Sequence, residues 1–231
     1  MTEARTARLD AEQVAAAVRA RAGVPLVVEG PCPGGQVGAA YVRWPDGRRG
    51  VLTWRPGVTL GQVSAGPLAV PALLRAAGYP APATQLAVQV GDGVAVVQER
   101  LPGSAVRHVN AALLDQALAL NDRHAGDDVV HGDFHHGNFL AWDGRLTGVV
   151  DWGGAGRGDR RFDLVTLRFG LRPDNSTPAA RARLDTILDA LPDEVLTPAW
   201  AHMSLRMADW AIRHFGPADV PYWLALAGTR L

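Results

Sequence analysis

The segment HGDFHHGN, His131–Asn138, sits inside the longer run VVHGDFHHGNFLAWDGRLTGVVDWGGAGRGDRRFDL from Val129 to Leu164, and its reading decides the fold. The run gathers aspartates, histidines, one asparagine and many glycines, a composition suited to oxygen ligands carried on tight turns. NFLAW and LTGVVDW read as strands about the turn Asp143-Gly144-Arg145. An antiparallel register about that turn brings Asn138 roughly opposite Asp151. An amide oxygen and a carboxylate so placed suit magnesium, which takes few protein oxygens and completes its shell with water and substrate phosphates. Asp133, in the loop ahead of the hairpin, would point at the same centre in the position of a base or an orienting carboxylate.

Composition narrows the partners. At 231 residues and 48% apolar content the chain can bury a sizeable core, as one large domain or two small lobes. Basic and acidic residues balance at 23 each, so no global field draws it to nucleic acid or to an anionic membrane, and a small-molecule partner is expected. Cys32 is the lone cysteine, which rules out an internal disulfide and suits a reducing cytoplasm. No secretory signal and no apolar run of spanning length is read. All 23 basic residues are arginine.

Outward from the motif, the chain changes character once. LDAEQVAAAVRARAG reads as a helix with Asp10 as cap, Gln13 three residues on, a Leu9–Val14 staple, and Gly23 then Pro25 as its stop. From Pro25 to Leu101, GAAYVRW, RRGVLTW, LAVQV and VAVVQERL read as strands with turns at Asp46-Gly47 and Asp92-Gly93, and PLAVPALLRAAGYPAP reads as one short helix among them. Beyond LPG the pattern is helical: NAALLDQALALNDRHAG between Asn110 and Gly126, then TPAARARLDTILDAL and TPAWAHMSLRMADWAIRHFG. The expected organisation is a sheet-bearing lobe over residues 1–101 and a helical lobe over 102–231, with a hinge near 98–103.

His131, Asp133 and Asn138 fit the kinase catalytic-loop spacing His-x-Asp-x-x-x-x-Asn, and Asp151-Trp152-Gly153 stands where kinases carry Asp-Phe-Gly. With Ala155, Gly158-Asp159 and Asp163-Leu164, the run closely resembles the aminoglycoside phosphotransferase family, whose relatives include choline, homoserine and macrolide kinases. The resemblance implies an α+β, two-lobed protein-kinase-like fold, with a small antiparallel-sheet N-lobe and a mainly helical C-lobe that carries a catalytic β-hairpin. It implies transfer of the γ-phosphoryl group of ATP or GTP to a small-molecule hydroxyl, an aminoglycoside or other antibiotic among them, with antibiotic resistance as a biological role. Asp133 would be the catalytic base or hydroxyl-orienting group, Asn138 and Asp151 the magnesium ligands, and His131, Asp159 and Asp163 supports of the site. The strand VVQERLPG would meet the nucleotide base through Gln98, Glu99, Arg100 and Leu101.

Two departures from the family pattern stand out. Thr53 occupies the position of the phosphate-binding cation after Val51-Leu52, which leaves Arg55, on the same strand face, to meet the phosphates. No acidic residue lies between Gly47 and Gly91 to pair with such a cation, so Glu29 or Glu99 would have to serve. The stretch from Leu101 to His131 is also short for the family. A catalytically impaired, nucleotide-binding pseudokinase or regulatory module is the alternative these departures raise. Other readings are a metal-dependent hydrolase using His131, His135 and His136 with Asp133, and a purely local role for Asp133, Asn138 and Asp151 as turn formers. Asp159 and Asp163 are expected to brace the helix that follows them, and GPCPGGQVGAAY offers a loop for phosphates or a simple turn. His108 and His124 read as surface histidines. A cationic acceptor would need an acidic wall, for which Asp185, Asp189, Asp193, Glu194 and Asp209 are candidates; a solvated helix face accounts for them equally simply.

Overall fold

In the computed structural model, which describes residues 10–33, 38–123, 129–214 and 218–230, the chain divides into two compact units, Met1–Leu101 and Pro102–Leu231. The first unit opens with α1 (Ala11–Ala22), started by the Asp10 carboxylate accepting from the Gln13 N–H and ended by Gly23 at φ 71°. Strands β1 (Val27–Pro31), β2 (Ala40–Arg43) and β3 (Arg49–Pro56) follow. Then come α2 (Leu60–Val63), α3 (Ala69–Ala76), β4 (Thr84–Val90) and β5 (Gly93–Glu99). The strands form one antiparallel sheet in the order β1-β2-β3-β5-β4.

The period-2 alternation of β5 sorts its side chains onto two clusters. Ala95 and Val97 join Leu52, Val42 and Trp44 beneath Val14 and Val18 of α1, while Val94 and Val96 meet Val63 of α2. A strand buried on both faces is apolar without interruption, which is how VAVV reads. Its entry turn is Gly91-Asp92, one residue earlier than Asp92-Gly93, because Val90 pairs with Gly93. Gly93 belongs to the strand and lies so close to β3 that a Cβ there would be 2.4 Å from the Arg55 carbonyl oxygen. The single helix expected over PLAVPALLRAAGYPAP is broken: Pro67 has no N–H to give, and Ser64–Leu68 forms a wider π-type turn between α2 and α3.

The second unit contains β6 (Ser104–Ala105), α4 (Ala111–Asp122), β7 (Val129–Val130), β8 (Phe139–Trp142), β9 (Arg145–Val149) and β10 (Gly156–Arg157). Four helices complete it: α5 (Arg161–Gly170), α6 (Pro178–Asp189), α7 (Asp193–His214) and α8 (Val220–Ala227). Asn110 and Thr177 cap α4 and α6 through their side-chain oxygens. Helix α7 starts earlier than the sequence pattern at Thr197 suggests, and Pro198 lies within it. The Pro192 carbonyl, accepting from the N–H groups of Val195 and Leu196, has already begun the turn.

Phe134, Phe139, Trp152, Leu167, Phe169, Leu184, Leu188 and Trp200 are fully buried in this unit. Among the described residues no helix is long and apolar enough to cross a membrane. Leu9, His124, Gly126 and the Gly34–Val37 part of GPCPGGQVGAAY lie outside the described residues.

Candidate active site

Strand β7 delivers the chain to His131, where the backbone turns through Gly132 at φ 77°. A Cβ on Gly132 would stand 2.7 Å from the Gly154 carbonyl oxygen, so the His-Gly-Asp turn and the loop after Asp151 touch backbone to backbone. The Asp163 carboxylate, fully buried in the first turn of α5, accepts the N–H groups of His131 at 2.7 Å and Gly132 at 3.0 Å. The buried His131 ring completes the brace. Its Nδ1 accepts the Asp133 N–H at 3.2 Å, and its Nε2 lies 3.0 Å from the Val150 carbonyl oxygen. Those partners assign the proton to Nε2. Burial holds the imidazole below its ordinary pKa, against the pull of Asp163 and the Val150 carbonyl, and its ring packs 4.4 Å from Trp152.

The Asp133 carboxylate is held at both oxygens. Oδ1 accepts from Nη2 of Arg206 at 2.7 Å, and Oδ2 accepts from Nδ2 of Asn138 at 3.1 Å and lies 3.4 Å from Nε2 of His135. Burial pushes this carboxyl up, but the His135 hydrogen bond and charge, with Arg206 and His131, outweigh burial and hold it below the usual carboxylate range. It is therefore an anion at neutral pH and a weak base.

Asn138 donates from the same nitrogen to the Asp133 carbonyl oxygen at 2.9 Å, and its amide oxygen makes no hydrogen bond among the described residues. The β8–β9 hairpin turns at Asp143 (φ 47°) and Gly144 (φ 71°), the pair of positive φ values that a type I′ turn requires. An irregularity between Leu140 and Ala141 then shifts the register, so that Phe139 faces Val149 and the Val150 N–H donates to the Asn138 carbonyl oxygen at 2.9 Å. Asn138 thus lies across from Val150, one residue short of the expected Asp151. Asp151 itself is exposed and left-handed, at φ 63° and ψ 58°, a conformation that costs a non-glycine residue energy and that gathers at functional sites. An amide oxygen and an exposed carboxylate on adjoining backbone form a hard donor set that fits magnesium.

The remaining expected site residues fall as follows. Asp159 grips Arg161 through Nε and Nη2 and accepts the Arg161 N–H, which ties it to the start of α5; the loop itself is braced by Asp163. The residue before Asp159, Gly158, is small because a Cβ there would press to 3.2 Å from the Val130 side chain. The histidines do not assemble a transition-metal site. His131 has both ring nitrogens engaged, His135 accepts the Gly137 N–H at Nδ1, and among the described residues no group of three or more His, Cys, Asp or Glu side chains converges. His136, pushed down to about 4 by burial and then by the His135 charge, rests 3.3 Å from Nδ2 of Asn175.

In the sheet-bearing unit, Thr53 and Arg55 share a face of β3, opposite Val96 and Val94. Gln98 pairs with Val51 and Thr84 inside the sheet, and the Arg100 guanidinium lies 4.0 Å over the Tyr41 ring, ahead of the half-buried Leu101. Glu99 has its N–H on the Ala83 carbonyl and its carboxylate on Arg75 of α3 at 3.0 Å. A helix-to-sheet ion pair therefore exists, with the charges reversed relative to a strand cation and a helix glutamate. Glu29 reaches Arg43 at 3.1 Å and Arg49 at 4.0 Å on the neighbouring strands.

Three of the five acidic-wall candidates are paired with arginine. Asp185 meets Arg168 at 2.8 Å and Arg230 at 3.0 Å, Asp189 also meets Arg230, and Asp209 meets Arg213 at 2.8 Å. Arg206 is the site residue that sequence reasoning missed, and no local signal distinguishes it from the other helix arginines.

The fold has solved counterparts. A thermostable mutant of aminoglycoside phosphotransferase APH(4)-Ia in its apo form superposes with a TM-score of 0.67 at 15% identity, covering 94% of this chain and 97% of that one. Another mutant of the same enzyme, in ternary complex with ADP and hygromycin B, gives 0.63 at 14% identity over 96% and 98%. The aminoglycoside-3'-phosphotransferase of type VIII gives 0.53 at 19% identity over 80% and 96%. No curated protein sequence matches the chain. These likenesses establish the α+β, kinase-like fold, and the match of residues 14–204 to the family described as "Phosphotransferase enzyme family" settles the lineage: the chain belongs to that family.

Proposed function

We propose that this protein transfers the terminal phosphoryl group of ATP or GTP to a hydroxyl of a small molecule. The observation that carries the reading is the Asp133 carboxylate, held as an anion beside Asn138 on a loop braced by His131 and Asp163. Phosphoryl transfer asks for positioning and charge neutralisation more than for a strong base, because the acceptor proton leaves late along a loose transition state. A weakly basic carboxylate suits that timing: Asp133 orients the acceptor hydroxyl and takes its proton once the new bond is forming. Asn138 and Asp151 would hold Mg2+, which when bound offsets charge on the phosphate oxygens. Arg55 would add positive charge from β3, with the backbone of Gln98–Leu101 beside the purine.

The ADP and hygromycin B named with a similar structure support a purine nucleotide donor and a polyhydroxylated acceptor. Aminoglycosides belong in the acceptor screen, with antibiotic resistance as the corresponding role. The arginine-paired carboxylates of α6 and α7 favour including neutral hydroxylated compounds beside them. The need for nucleoside triphosphate as donor supports a cytoplasmic setting for the reaction. The second reading, nucleotide binding without transfer, is favoured by Thr53 in the cation position and by the reversed Arg75–Glu99 pair.

Calorimetric titration of MgATP and MgGTP, with Asp151→Ala as control, tests the metal assignment, and an acceptor screen with Asp133→Asn tests the chemistry. Magnesium-dependent binding lost in the first variant is expected, with a fall in turnover of about 100- to 10,000-fold in the second. Binding without turnover selects the pseudokinase reading, and Asp133→Asn at full turnover refutes the role of Asp133.

A further inference from the structure

Arg206 touches the carboxylate on which the proposed chemistry turns, from a helix at the far end of the sequence. Its Nη2 donates to Asp133 Oδ1 and its Nη1 to the Gly132 carbonyl oxygen, each at 2.7 Å. One guanidinium thus spans the side chain and the backbone of a single loop and fixes one against the other. A planar fork makes that double contact in a set geometry, whereas an ammonium supplies a point charge.

The other oxygen is already occupied. Oδ2 takes Nδ2 of Asn138 at 3.1 Å and faces Nε2 of His135 at 3.4 Å. A carboxylate offers about four lone-pair sites. Among the described residues three are engaged, and the fourth lies on Oδ1, beside the guanidinium. The fold of α7 does not depend on this contact: the helix is anchored by fully buried Trp200, whose Nε1 donates to the Ala227 carbonyl at 3.0 Å, and by buried Met203.

We propose that Arg206 is a positioning residue of the phosphoryl-transfer site, locking Asp133 so that the acceptor hydroxyl bonds at Oδ1, next to the guanidinium. The inference rests on the reading of Asp133 as the group that orients the acceptor. Arg206 acts through Asp133, and its removal should therefore impair turnover while leaving nucleotide binding alone.

The test is a double-mutant cycle on the full chain, with steady-state transfer from MgATP to an acceptor the unmodified protein uses. Arg206→Met should lower kcat by about 100-fold and leave KM for MgATP within about threefold, the signature of lost alignment. Arg206→Lys, which keeps the charge and can hold one of the two contacts, should recover about tenfold of that loss, and it serves as the working variant if methionine impairs folding. In an Asp133→Asn background the same Arg206 substitution should change residual kcat by less than about twofold, because the group it positions is gone.

A kcat within twofold of the unmodified protein in Arg206→Met, or in Arg206→Lys where methionine impairs folding, overturns the inference, as does an equal loss in both backgrounds. Failure of the proposed function looks different: the unmodified chain would then bind nucleotide or not, and transfer phosphate to nothing.

Discussion

Replacing Asp163 by alanine should be among the most damaging single changes outside the reacting groups. The carboxylate is fully buried and accepts two backbone N–H groups, at 2.7 and 3.0 Å. Hydrogen bonds to a charged acceptor contribute about 1.5–3 kcal/mol each, and an orphaned buried donor costs about 1–3 kcal/mol. Two such donors imply a loss of about 3–5 kcal/mol in the unit that carries them. Asparagine is not a conservative replacement here, since one of its two heads is a donor that would face an N–H, so Asp163→Asn should lose about half as much. Trp152, packed 4.4 Å from the His131 ring, reports on this loop directly. Urea unfolding followed by tryptophan fluorescence, with the slope of free energy against denaturant compared between variants, measures the effect. Turnover should fall with it, because Asp133 loses the backbone frame that aims it. Stability within about 1 kcal/mol of the parent, together with full turnover, would show that the two N–H groups find other acceptors and that the brace is incidental.

Gly132→Ala should cost about 1–3 kcal/mol and reduce turnover, because φ 77° is strained for any side chain and the new methyl would meet the Gly154 carbonyl oxygen at 2.7 Å; an unchanged melting temperature would contradict the close approach of the two loops. Stability should also fall with acid in a defined window. His136 takes its proton at about 6.5 in the unfolded chain and only at about 4 when folded, so the unfolded state binds more protons between those values and the melting temperature drops as pH falls through them. Asp133, lowered on folding, withdraws its own contribution only at more acid pH, below its ordinary carboxylate range. His136→Gln should flatten the melting-temperature profile between pH 6.5 and 4, and parallel profiles would rule out His136 as a source of the slope.

Much of the site was legible because its residue types answer to local geometry. Asp143-Gly144 announces a tight hairpin, Gly132 marks backbone close to backbone, Gly158 makes room for the Val130 side chain, and Asp133 to Asn138 is a spacing within one loop. The register was less so. Continued regularly from Trp142–Arg145, the pairing would set Asn138 opposite Val149; one extra residue on β9 across from Leu140 carries it to Val150, and an irregularity of that kind leaves no mark in an alternating pattern. Asp159 and Asp163 look alike in sequence, yet Asp159, ahead of α5, lies half-exposed against Arg161, while Asp163 turns inward in the first turn of α5. Long-range pairing was the least legible. Arg206 reaches Asp133 from 73 positions away, and Arg75 of α3 meets Glu99 at the end of β5, through side chains that read as ordinary surface arginines.

The strand that offers Thr53 and Arg55 has a consequence for how such a protein would be detected. The sequence contains no lysine, so β3 offers no side-chain amine. Nucleotide analogues that mark kinases by acylating a strand lysine would bind and leave without a trace, because a guanidinium is too weak a nucleophile to take the acyl group. A survey of active kinases built on that capture chemistry would count this protein as silent even at full turnover.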